Sequence, residues 1–147
     1  MSNKRGFTLI ETMIATGILV SGLVAVAYMF SCSVKTNFTT QQMTSATMLV
    51  HDKLEELKAT SFGTLSVGGG LDGASPTLNY REWVTVATDG STTVATTEVT
   101  TAEYLRLWQI ADSNPLKVTV VVLAQRSGVS GQQLELARAS TLLTSSF

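Results

Sequence analysis

The sequence predicts an α+β protein: one long N-terminal helix, part membrane-embedded and part amphipathic, packed on a small antiparallel β-sheet. Three observations carry that expectation. Residues 12–34 contain no charged side chain and are mostly Ile, Leu, Val, Ala, Met and Phe, and beyond them neither Pro nor Gly occurs until Gly63. A glycine-rich break follows at residues 66–76. After it come β-prone segments separated by turn signals, so helix and strands are segregated along the chain.

The apolar run is long enough to span a bilayer, whose hydrocarbon core of about 30 Å needs roughly 20 helical residues. It is too long and too evenly apolar for a cleaved secretory segment, usually about 7–15 residues. Lys4 and Arg5 stand just before it. That bias puts the N-terminus in the cytoplasm and the remainder across the membrane. Glu11 interrupts the pattern. A carboxylate at the centre of a membrane helix costs about 2.5–3.5 kcal/mol, and less near an end. At this end it also favours the helix N-terminus through the dipole.

Past Cys32 the chain turns polar but keeps a helical period. Val34, Phe38, Ala46, Val50, Leu54 and Leu57 form an amphipathic stripe, so the helix is expected to continue to about residue 60. Gly68-Gly69-Gly70 and Gly73 mark a flexible connector; with no preceding strand and no Lys-Ser/Thr pair it is not a phosphate loop. Strands are expected at 80–88, around Trp83, Val84 and Val86, then at 93–100, 105–110, 118–124 and 134–143. Asp89-Gly90, residues 112–115 and residues 128–131 supply the turns. The segment 118–124 is the most apolar and is placed centrally.

Composition narrows the function. At 147 residues there is room for one modest domain. Charged residues are 14%, against roughly 25% in soluble domains, and mean hydropathy is +0.24. Part of the chain is therefore expected outside water. One cysteine and one histidine exclude an internal disulfide, a multi-Cys zinc site and most His-based catalysis. His51 and Glu55 have the spacing of a metal pair, with Asp52 adjacent, but two ligands on a solvated face read as local charge pairing. Cys32 reads as a small apolar residue in a helix seam rather than a lipidation or pairing site. Trp83 and Trp108 read as packed against the sheet rather than displayed. Arg81, Arg106, Lys117, Arg126 and Arg138 are outnumbered by acids including Asp72, Glu82, Asp89, Glu98, Glu103, Asp112 and Glu135. No nucleic acid is expected as a partner. No enzyme activity, cofactor or metal is expected either.

Lys4-Arg5-Gly6-Phe7-Thr8-Leu9-Ile10-Glu11, followed by a membrane-length helix, resembles the class III signal of type IV pilins and pseudopilins. The resemblance covers the first third of the chain. It implies cleavage between Gly6 and Phe7 by a prepilin peptidase, which also N-methylates Phe7, while the apolar helix stays in the product. It implies that Glu11 pairs with the Phe7 ammonium of a neighbouring subunit. That ammonium has an ordinary pKa of about 8, so it is mostly cationic at neutral pH. Such a pair offsets part of the desolvation and fixes axial register. The implied layout is a cleaved basic leader 1–6, a membrane and assembly half 7–33, an amphipathic half 34–61 and a β-sheet head 62–147.

The implied partners are the prepilin peptidase, other pilins or pseudopilins through the N-terminal helix, an inner-membrane assembly platform and inner-membrane lipid. The implied location is the inner membrane with a periplasmic head, then a pilus or pseudopilus. Main pilins often carry a proline in the apolar half; here any kink would fall at Gly17 or Gly22. The lack of a disulfide-closed loop is closer to minor pilins. Residues 46–57, and Leu107-Trp108-Gln109-Ile110 before the 118–122 strand, are similar to PilV-type minor pilins and I-type pseudopilins. The function implied is a structural minor pilin that primes or tips a type IV pilus. Alternatives are a minor pseudopilin of type II secretion or DNA uptake, and, in another class, a single-pass membrane-anchored binding domain.

Overall fold

Residues 41–62 carry neither Pro nor Gly, and the only two glycines earlier in the helix, Gly17 and Gly22, do not break it. The computed structural model, which describes residues 6–87, 89–112, 115–125 and 133–144, accordingly has a single helix α1, Leu9–Ala59. The chain divides into two compact units, one ending at Thr40 and the other beginning at Gln41.

In the first unit every described side chain up to Phe38 is exposed, including Ile14, Leu23 and Phe30. So large an apolar surface requires lipid or protein around it. Among the described residues this is the one helix long and apolar enough to cross a membrane. Its hydroxyls close on their own backbone. Thr12 Oγ1 donates to the Leu9 carbonyl at 2.8 Å, Thr16 to Thr12 at 2.7 Å, Ser21 to Ile18 at 2.8 Å and Ser31 to Ala27 at 3.0 Å. In a medium without water these bonds keep the polar atoms satisfied.

The second unit is a six-stranded antiparallel sheet carrying the last turns of α1. Its strands are β1 (Gly68–Gly69), β2 (Arg81–Val86), β3 (Thr92–Ala95), β4 (Tyr104–Ala111), β5 (Leu116–Ala124) and β6 (Leu134–Leu143). The order is β3-β2-β4-β5-β6, with β1 paired to β4 at Ile110 and Gln109, beyond the stretch of β4 that β2 occupies. Helix residues Ala46, Leu49, Val50, Leu54 and Leu57 pack on Val84, Tyr104, Trp108, Ile110, Val118, Val120 and Val122. The buried stripe thus starts at Ala46. Val34 and Phe38, expected to belong to it, are exposed.

The opposite sheet face is buried as well. Trp83, Leu105, Leu107, Val121 and Leu123 form a second core with Ala102, and Leu71 and Val99 pack against it. This explains why β4 and β5 read as continuous apolar runs rather than alternating ones. It also corrects two expectations. The glycine-rich segment is not simply a flexible connector, because Gly68–Gly69 is a strand and Leu71 belongs to the second core. Gly69 has φ +89°, and a Cβ there would meet the Trp108 carbonyl and lie 2.7 Å from Tyr80 Cδ1. The strand expected at 93–100 ends at Ala95, because Val99 and Ala102 are drawn into the second core. The middle strand is β4, with β5 beside it. The Asp89-Gly90 turn is present, with the Ser91 amide donating to Asp89 Oδ1 at 2.9 Å. The turn expected at 128–131, and residues 113–114 of the turn at 112–115, lie outside the described residues.

Between helix and sheet lies a largely buried charge cluster of Lys53, Glu82 and Arg106. Glu82 Oε1 accepts from Lys53 Nζ at 2.8 Å, and its Oε2 accepts from Arg106 Nε at 2.9 Å and from Arg106 Nη2. Arg106 Nη1 donates to the Leu49 carbonyl at 3.0 Å, tying β4 to the helix backbone. Lys53 also lies 4.2 Å from the centroid of the Trp108 ring. Burial pushes the Glu82 carboxyl up, but hydrogen bonds and charge from Lys53 and Arg106 outweigh it and hold the pKa below its ordinary value.

Candidate processing and assembly site

The N-terminal residues are set by where the helix begins. Gly6, Phe7 and Thr8 are non-helical and exposed, and α1 starts at Leu9. The Thr8 carbonyl accepts from the Glu11 amide at 3.1 Å and the Thr12 amide at 3.2 Å. Its hydroxyl accepts a second contact from the Glu11 amide at 3.3 Å. Thr8 is therefore the N-cap, with Glu11 three residues on. The signal was present in the sequence: Thr-x-x-Glu before an apolar run is the capping-box pattern.

Glu11 lies in the first turn of α1, exposed, and makes no ion pair among the described residues. Lys4 and Arg5 lie outside the described residues. A Cβ added at Gly6 would meet nothing within 4 Å, and Gly6 is not among the glycines with positive φ. Nothing in the described fold calls for glycine there. Facing the same end of the helix, Thr12, Met13, Thr16, Gly17, Val20 and Ser21 line a shallow open groove.

Residues 1–27 match the family model for the prokaryotic N-terminal methylation motif. That match supports a type IV pilin-like protein. A pilin-like chain is handled by a prepilin peptidase and assembles with other pilins, which points to a structural role, and its apolar N-terminal helix fits membrane anchoring. The α+β arrangement of the head is pilin-like too. No curated protein and no solved structure matches the chain.

The other candidates separate cleanly. His51, Asp52 and Glu55 are exposed on α1, and among the described residues no group of three or more His, Cys, Asp or Glu could hold a metal ion. Cys32 is a free, exposed thiol on the apolar half of the helix. Trp83 and Trp108 are buried, one in each core, as their strand setting predicts.

Proposed function

We propose that the chain is a non-enzymatic minor pilin-like subunit, cut between Gly6 and Phe7 by a prepilin peptidase and methylated on Phe7. It then assembles through its N-terminal helix and primes or tips a type IV pilus. The observation that carries this reading is the methylation-motif match ending inside a membrane-length helix, with the Gly6–Phe7 bond exposed and non-helical ahead of it. The open space around Gly6 supports it further. A glycine that its own fold does not require is explained by a peptidase subsite that admits only hydrogen. Before assembly the N-terminus faces the cytoplasm and the head the periplasm, with Lys4 and Arg5 retained on the inner side.

Glu11 supplies the assembly chemistry. Its carboxylate lacks an ion-pair partner among the described residues and stands four residues along the chain from the ammonium that cleavage creates on Phe7. A neighbour's ammonium is the complementary charge. The test is intact mass of the membrane-extracted protein, co-expressed with its peptidase. Loss of residues 1–6 and gain of one methyl group is expected. A Gly6→Glu variant should stay uncut, and equal processing of the two proteins would overturn the reading.

A further inference from the structure

An apolar helix in lipid tends to lengthen, because each unpaired backbone N–H or C=O in that medium is costly. Something must stop α1 from taking in the peptide just before it. Gly6 is itself an acceptable capping residue. Were the helix to start there, Phe7 would become its first residue, and the Gly6 carbonyl would accept a hydrogen bond from the next turn. A carbonyl so engaged is turned along the helix axis and is a poor substrate for hydrolysis.

We propose that Thr8 is a positioning residue for the cleavage: the hydrogen bond its side chain accepts holds the N-cap at Thr8, just after Phe7, and keeps the Gly6–Phe7 peptide extended for the peptidase. The inference rests on the reading of Gly6–Phe7 as the scissile pair. The contact that carries it is the Thr8 hydroxyl at 3.3 Å from the Glu11 amide; the Thr8 carbonyl bonds to the Glu11 and Thr12 amides, at 3.1 Å and 3.2 Å, mark where the helix begins. Only the hydroxyl contact depends on the side chain, so side-chain substitution isolates it. Thr8 is exposed, so its replacement leaves no cavity.

The experiment measures cleavage of the full-length chain in detergent by a prepilin peptidase, comparing wild type with Thr8→Val, Thr8→Ser and Thr8→Asn. Valine keeps the shape and loses the hydroxyl, whereas serine and asparagine cap well with different shapes. Loss of an N-cap should lower kcat/KM about two- to thirty-fold. The loss should appear in KM, because the competent extended form becomes a smaller fraction of the substrate. Serine and asparagine should cleave like wild type, and amide hydrogen exchange at Glu11 should slow in the valine variant alone, because in the lengthened helix that amide would donate to the Phe7 carbonyl. Normal cleavage of Thr8→Val would overturn the proposal. Poor cleavage of Thr8→Asn would overturn it too, by showing that a subsite reads the side-chain shape. An uncut wild type would instead refute the scissile pair itself, and the capping role with it.

Discussion

Replacing Glu82 by glutamine removes the largely buried carboxylate that, among the described residues, pairs with two buried cations. Lys53 and Arg106 are 4% and 5% exposed, and the Glu82 side chain is 12% exposed. Glutamine keeps the shape and some hydrogen bonding but leaves both charges facing each other across it. Lys53 retains Glu56, which is 62% exposed, and Arg106 retains the Leu49 carbonyl. Breaking a buried pair costs about 3–5 kcal/mol, and the retained partners put this case near 3 kcal/mol. A domain of this size has about 5–15 kcal/mol in total, so the head should lose about 10–20 °C in Tm. Fluorescence isolates it, because both tryptophans of the chain, Trp83 and Trp108, are buried in the head and none lies in the apolar half of α1. Thermal unfolding of the full chain in detergent therefore reads the head alone.

Acid acts on the same cluster. Glu82 has its folded pKa below the ordinary 4.5, so its stabilisation is fully present above 4.5 and is lost as pH falls through the folded value. The gap between wild type and Glu82→Gln should close in that acid range. Changing all three residues together, Lys53→Met, Glu82→Leu and Arg106→Met, should be neutral or stabilising, since no charge is then left alone. A Glu82→Gln protein within 1 kcal/mol of wild type at neutral pH would refute the reasoning.

Gly69→Ala should destabilise the head by about 2–5 kcal/mol, through positive-φ strain plus the collision with the Trp108 carbonyl and Tyr80. Gly63→Ala, with open space around it, is the control and should change denaturant midpoints little. Glu11→Gln should insert and be cleaved normally but fail to enter sheared filaments, because a neighbour's ammonium would be left uncompensated at about 3–5 kcal/mol. Unimpaired recovery in filaments would leave Glu11 only its helix-dipole contribution of about 0.3–1 kcal/mol. A chain beginning at Val34 should be soluble and folded, since the buried stripe starts only at Ala46; aggregation, or loss of the β signal in circular dichroism, would count against that division.

Helix α1 was legible because its signals are local: an apolar run, a 3.6-residue period and the absence of breakers. The strands around Trp83, Trp108 and Val120 were legible for the same reason. The second core was not, because Leu71 sits in a glycine-rich stretch that looks like a linker and Val99 in one that reads as a Thr-rich strand, and only the fold packs both against Trp83, Leu105 and their neighbours. The Glu82 cluster was hidden likewise: Lys53, Glu82 and Arg106 lie far apart in sequence, and nothing local to any one of them marks it as a partner of the other two. Gly6, Phe7 and Glu11 stood out by fixed spacing, whereas the capping role of Thr8 depends on where the helix begins, and the apolar run alone does not fix that start.

The inward-turned hydroxyls of α1 have a consequence for traffic. A serine or threonine that took its hydrogen bond from a neighbouring helix would tie the subunit to whatever neighbour it had. Here Thr12, Thr16, Ser21 and Ser31 each close on the preceding turn of their own helix. These four hydroxyls therefore carry their hydrogen bonds with them wherever the helix goes. Lipid chains and apolar side chains are nearly equivalent surroundings for it. Passage from bilayer to bundle, or back again, breaks none of these bonds and meets little gradient in apolar contact. A helix of this kind is close to indifferent to its company, so the proposed contact of Glu11 with a neighbour's ammonium would be enough to set the direction of exchange.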